Sequence, residues 1–106
     1  MSLTRAAVIQ SAQGANANGA VMDISGVSEM ALQVDAAGFT GTVNFEGSND
    51  GTNFYPVPFQ NAAGAFVSTA TAAGMFVTYL ATYPWLRART SGVSAGTVTV
   101  KAFAEE

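Results

Sequence analysis

The chain of 106 residues contains no cysteine and no histidine. The first absence excludes a disulfide framework, a thiolate metal site and a cysteine nucleophile. The second removes the commonest general base and metal ligand. Charge is scarce as well: Asp, Glu, Lys and Arg make up 10% of the chain, against ~25% in typical soluble domains. The net charge of -3 leaves no basic footprint for nucleic acid. So little charge does poorly at keeping a free protein soluble and monomeric, and partners are therefore expected to cover much of the surface. No stretch approaches the ~20 apolar residues of a membrane span, so no membrane partner is expected. The opening Met1-Ser2-Leu3-Thr4-Arg5-Ala6-Ala7-Val8 has an arginine but no continuous apolar segment, and a secretory signal is not expected there.

What the chain does have is alternation, and it centres on the stretch Gly47 to Phe54. Before it, Val43 and Phe45 alternate with Thr42, Asn44 and Glu46, the period of a half-buried strand. After it comes Phe54-Tyr55-Pro56-Val57-Pro58-Phe59, aromatic and stiffened by two prolines. Between them, Ser48-Asn49-Asp50-Gly51 carries the residue types of a tight reversal. Asn and Asp bond the backbone two residues on, and Gly takes the left-handed conformation without a Cβ penalty. The stretch reads as the tip of a β-hairpin.

The rest of the chain extends this pattern. Leu3 to Gln13 reads as a first strand or an extended arm, followed by a loop at 14–19 with an Asn18-Gly19 turn signal. A strand is expected over Ala20 to Ile24. Met30, Leu32 and Val34 face one way and Gln33 and Asp35 the other, and Ala36-Ala37-Gly38 is read as a turn into the next strand. Pro56 and Pro58 cannot donate to a ladder and place their strand at an edge or bulge. Short strands are expected at Ala65 to Thr69 and, covered on both faces, at Met75 to Leu80. Trp85 to Thr90 alternates with Leu86 and Ala88 inward. Ser91 to Gly96 is read as a loop, Thr97 to Ala102 as a last strand with Val98, Val100 and Ala102 inward, and Glu105-Glu106 as a frayed tail. The expected fold is all-β: one antiparallel β-sandwich or jelly-roll-like domain of about eight short strands over 1–106, with 1–18 an N-terminal arm or edge strand.

The succession Val43-x-Phe45-Glu46-Gly47-Ser48-x-Asp50-Gly51-x-x-Phe54-x-x-Val57, then Tyr83-x-Trp85-Leu86-Arg87-x-Arg89, then Gly96-Thr97-Val98-Thr99-Val100 resembles a group of small phage virion proteins with β-sandwich folds. The resemblance spans roughly Met30 to Phe103. It implies a structural role on the particle, decorating the capsid or building part of the tail, with the major capsid protein or other virion proteins as partners; the short chain, without a long fibre repeat, favours a head decoration (cement) protein over a fibre tip. The alternative it leaves is a tail or baseplate-associated module that binds host-surface glycan. A virion location, assembled in the host cytoplasm, goes with either.

Each candidate site residue admits a structural reading and a functional one. Asp50 with Ser48, Asn49 and Asn53 is either a turn or a calcium loop, but a lone carboxylate falls short of the usual ligand set. No metal or other cofactor is expected. Arg87 and Arg89 lie on one side of a strand, either as anchors to an acidic partner surface or paired with Glu46 or Asp35 on a neighbouring strand. Tyr55, Phe59, Tyr79, Tyr83 and Trp85 serve as core, as a protein interface or as a platform for sugar. No two of Asp23, Glu29, Asp35, Glu46 and Asp50 are singled out as a glycosidase pair, and no phosphate loop or nucleophile motif is present, so an enzyme is not expected. Self-association, most simply as a cyclic trimer, is expected from the charge-poor surface.

Overall fold

The computed structural model describes residues 4–79 and 81–106. Met1 and Ser2 of the expected N-terminal arm, Leu3 at the start of the expected first strand, and Leu80 at the end of the expected strand from Met75 lie outside the described residues. The described residues form nine strands and no helix: β1 (Thr4–Gln13), β2 (Met22–Asp23), β3 (Glu29–Ser48), β4 (Tyr55–Pro56), β5 (Phe59–Gln60), β6 (Phe66–Val67), β7 (Thr69–Ala70), β8 (Gly74–Thr78) and β9 (Trp85–Glu105). All pair antiparallel in one sheet of order β1-β9-β3-β8-β5-β6, with β2 added to β9 and β4 and β7 to β3.

Two long strands carry the fold. β3 and β9 run alongside each other from Glu29 opposite Glu105 to Ser48 opposite Trp85. A straight strand of 20 residues would reach about 66 Å, yet the longest dimension of the molecule is 42 Å. Both strands therefore bend, and they do so together where the register shifts between Ala37 and Thr42. Gly38 and Gly96 sit at this bend with positive φ of 59° and 68°. A Cβ on Gly96 would run into the Gly38 carbonyl, so the close approach of the two strands requires glycine there.

This corrects two expectations. Ala36-Ala37-Gly38 is not a turn and Ser91 to Gly96 is not a loop; both are kinks inside continuous strands. Each strand offers the other's backbone partners on both sides of the bend, so the glycines act as bulges rather than as chain reversals. Four expected short strands are two long ones.

The bend divides the sheet into two halves. The first contains 29–37 of β3 and 97–105 of β9, flanked by β1 and β8; the second contains 42–48 and 85–91, flanked by β2, β4 and β7. The halves close on one another as the two layers of a sandwich. Phe45 of the second half meets Phe76 of the first at a ring-centroid distance of 5.1 Å and Phe59 edge-on at 5.3 Å. Met30, Leu32, Val34, Val98, Val100 and Ala102 face inward from one layer and Val43, Phe45, Leu86 and Ala88 from the other, all buried. Burying one such large side chain stabilises the fold by ~1.5–3 kcal/mol.

The smaller elements differ from expectation in instructive ways. β1 is an edge strand on β9, one of the two readings expected for it, and it places Ile9 in the core. Buried Gln10 holds it down, its side-chain amide donating to the Ala88 carbonyl at 2.9 Å and the Ala17 carbonyl at 3.1 Å. The strand expected at Ala20 to Ile24 shrinks to β2, and the one at Ala65 to Thr69 splits into β6 and β7. β8 is covered on one face only, with Phe76 buried and Met75 49% exposed. Glu105 is not frayed: it lies between Thr4 and Glu29, and its carbonyl accepts the Ser28 N–H at 3.1 Å. Pro56 and Pro58 bracket Val57, whose N–H donates to the Phe45 carbonyl at 2.9 Å, so the missing donors fall where none is used.

Candidate functional site

The hairpin at the far end of the second half gathers most of the residues singled out from the sequence. β4 returns against β3 with Pro56 opposite Glu46 and Tyr55 opposite Gly47. The connecting loop is organised by two side chains. Asp50 Oδ1 accepts the N–H groups of Thr52 and Asn53 and the hydroxyl of Ser48, each at 2.8 Å, and Oδ2 accepts the Asn53 amide at 2.8 Å. Ser48 Oγ accepts the N–H groups of Gly51 at 2.9 Å and Asp50 at 3.2 Å. The Asn53 and Thr52 N–H groups, with the side chains of Asn53 and Ser48, hold the Asp50 carboxyl well below its ordinary value. Its lone pairs point into its own loop, and a cation would have to displace those donors. Among the described residues, no three carboxylates gather around one position.

Glu46 is the buried centre of the outer face of this half. Its two oxygens accept Arg87 Nε at 2.8 Å and Arg89 Nε at 3.1 Å, with the Glu46 side chain only 7% exposed. Arg87 lies directly opposite Glu46 in the register and Arg89 two residues along the same strand, which is why a single carboxylate reaches both. Phe54 closes over Arg87, its ring centroid 4.1 Å from the guanidinium carbon. Of the two cross-strand partners considered, the observed one is Glu46; Asp35 instead pairs with Lys101 at 3.3 Å. The cluster of two arginines and one carboxylate keeps one positive charge in excess.

The aromatics divide. Phe59 is fully buried in the core. Trp85 is half-buried and lies under the loop, where a Cβ on Gly51 would stand 3.6 Å from its ring. Tyr83 packs so closely on Gly47 that a Cβ there would come within 2.7 Å of its ring, and burial pushes its phenol up to about 12. Tyr55 is 69% exposed. Tyr55, Tyr83, Asn49 and Asn53 line a shallow hollow beside the loop. It offers amide and hydroxyl groups next to aromatic faces, the chemistry of polar recognition.

Sequence reasoning missed Phe54 as the cover of Arg87. It also missed a second surface, the outer face of the first half, where Val8, Met75, Tyr79 and Phe103 are all about half exposed or more. The signal was present at Phe103, since the alternation that turns Ala102 and Ala104 inward must turn it outward.

No protein-family model matches the chain, and no curated protein matches it. Solved structures do. The SPBc2 prophage-derived protein YomS superposes with a TM-score of 0.89 at 12% identity, covering 100% of this chain and 96% of that one. The PBSX exported protein XepA superposes with a TM-score of 0.90 at 16% identity over 99% of this chain, which corresponds to 38% of XepA. The fold of this chain is the fold they share.

Proposed function

We propose that this chain is a non-enzymatic structural protein of a phage particle, which binds the assembled capsid shell and stabilises it. The observation that carries this reading is the likeness of fold, over the whole chain to YomS and over 99% of it to a part of XepA, both phage-derived proteins. It accords with the virion-protein resemblance of the Phe45 to Val57 and Tyr83 to Arg89 segments. The surface supports it too. It is poor in charge, and large apolar side chains including Tyr55, Phe66, Tyr79 and Phe103 stand in solvent. The mechanism is passive. A rigid unit buries such side chains against several shell subunits at once, so dissociating the shell must break those contacts as well.

A second reading, a tail or baseplate-associated module for host-surface glycan, is favoured by the hollow of Tyr55, Tyr83, Asn49 and Asn53. Co-sedimentation separates the two. The purified chain is mixed with undecorated shells in one arm and host-cell polysaccharide in the other, then pelleted. Capture by shells, with a rise in the shells' disruption temperature, is the expected result. Retention by polysaccharide without shell binding, abolished by Tyr55→Ala, would overturn it in favour of the glycan module.

A further inference from the structure

The chain has four cationic side chains, and acids answer them unequally. Arg5 faces Asp23 at 3.3 Å and Lys101 faces Asp35 at 3.3 Å, one acid to one base. Arg87 and Arg89 have Glu46 alone between them. Each guanidinium uses its Nε on that carboxylate, and neither terminal fork has a hydrogen-bond partner among the described residues. Phe54 lies over Arg87, whose side chain is 18% exposed; Arg89, at 36%, stands at the uncovered margin of the face. Opposite it, the Asn44 amide donates to the Arg89 carbonyl at 2.9 Å and to Ser91 Oγ at 3.0 Å. Ser91 shares the face of Arg89, and its own hydroxyl hydrogen has no acceptor among the described residues. The other acids are remote or engaged. Asp23 is opposite Trp85, four residues or about 13 Å along β9 from Arg89. The Asp50 carboxyl is bonded within its own loop at that same end. Glu29, Asp35, Glu105 and Glu106 belong to the first half, across the bend. Screening over ~8 Å at physiological salt leaves the excess positive charge at Arg89 uncancelled.

We propose that Arg89, with the edge of Arg87 and the Ser91 hydroxyl, binds a carboxylate on an acidic segment of a partner protein. Glu46 prepares the site. By holding both Nε atoms it fixes two planar groups side by side, so an incoming carboxylate meets forks already oriented and little side-chain freedom is lost on binding. The charge count selects the class of anion. One excess positive charge is balanced by one carboxylate, whereas a phosphate dianion would leave the cluster negative. A sugar acid carries its carboxylate on a ring that needs a platform, and the rings of this face are taken. Phe54 lies on Arg87, and Trp85 lies beneath the loop at Gly51. An aspartate or glutamate side chain needs no platform. A single exposed contact of this kind is weak, and successive acids along one segment, or several copies on one lattice, add to it. The inference goes beyond the shell reading, because it names the chemical group that a partner offers, whatever that partner is.

Titration of the full chain with a capped peptide of alternating aspartate and glutamate, followed by NMR, tests it. The Arg89 side-chain Nε and the Ser91 amide should shift saturably, with a dissociation constant of about a millimolar or below. The matching peptide of asparagine and glutamine should leave them in place. Arg89→Lys keeps a cation beside Glu46 but removes the fork, and should weaken binding about tenfold with the melting temperature nearly unchanged. Ser91→Ala should weaken it about threefold, and Lys101→Met, which removes a cation elsewhere, should leave it unchanged. Absence of saturable binding overturns the proposal, as does equal binding by Arg89→Lys or an equal loss in Lys101→Met. Inorganic phosphate or oligogalacturonate binding more tightly than the peptide would assign the site to phosphate or to an acidic glycan instead. Peptide binding by a chain that undecorated shells do not capture would refute the shell reading and leave this one standing; shell capture without peptide binding would do the reverse.

Discussion

The two halves of the sheet share the same two long strands but present opposite outer faces. On the second half, Glu46 ties Arg87 to Arg89 and Phe54 folds down over the pair, so the chain has covered that face with its own hairpin. On the first half no described segment folds back, and Phe103, Met75, Val8 and Tyr79 remain in solvent. The difference originates in the course of the chain at either end of β3. Beyond Ser48 the chain reverses within a few residues and pairs edge to edge with Gly47 and Glu46, and the Phe54 ring just before that pairing turns over Arg87. The arm beginning at Glu29 is flanked edge to edge in the same way, by β8 and β9, but no such ring is seen over its outer face among the described residues. Edge pairing satisfies the backbone; covering the outward side chains takes a group laid over the face.

Breaking the joint between the halves should have the largest effect. Phe45→Ala removes a fully buried ring that touches both Phe59 and Phe76, and should cost about 3–5 kcal/mol in denaturant unfolding. Phe103→Ala, by contrast, should leave the unfolding midpoint nearly unchanged. Equal losses from the two would mean that the outer face is as well packed as the core.

A smaller effect is expected at the covered face. Arg87→Met leaves the buried Glu46 carboxylate with Arg89 alone and removes the cation beneath Phe54. It should lower stability by about 2 kcal/mol, less than a fully broken buried pair because one arginine remains. The loss should be the same in a Phe103→Ala background, and a difference would show that the two faces are coupled.

The smallest effect is local and concerns pH. Asp50 has its carboxyl held below the ordinary value of 3.8, so its contribution is present above 3.8 and is lost only as the pH falls through the depressed value. The amide resonances of Thr52 and Asn53 should therefore hold their positions through pH 3.8 and shift only in stronger acid. Asp50→Ala should displace both resonances at neutral pH with little change in the melting temperature, as expected of a loop organiser on an exposed hairpin. A large fall in melting temperature would instead make this loop part of what holds the halves together.

Much of this was legible in the residues. The inward sets Met30-Leu32-Val34, Leu86-Ala88 and Val98-Val100-Ala102 came from period two, because a strand puts alternate side chains on opposite faces whatever it pairs with. The Ser48 to Gly51 reversal came from local chemistry, since Ser and Asp side chains bond N–H groups two and three residues on. The pairing of Arg87 and Arg89 with Glu46 was anticipated as one of two partners, but the choice between Glu46 and Asp35 depended on register, which no single strand contains. Phe54 over Arg87 depended on how the hairpin lies against the sheet.

The bend was the largest difference. Ala36-Ala37-Gly38 and Ser91 to Gly96 carry genuine turn residues, and Gly38, Gly92 and Gly96 do adopt positive φ. A left-handed glycine reverses a lone chain or kinks a paired one, and the residues are the same in both cases. Alternation and turn chemistry are properties of a few consecutive residues, and they suffice for an all-β chain, its inward residues and its hairpin. Whether a glycine ends a strand or folds a long one over, and which outer face is then left bare, is settled by a partner strand some fifty residues away. That pairing exists only once the chain has folded.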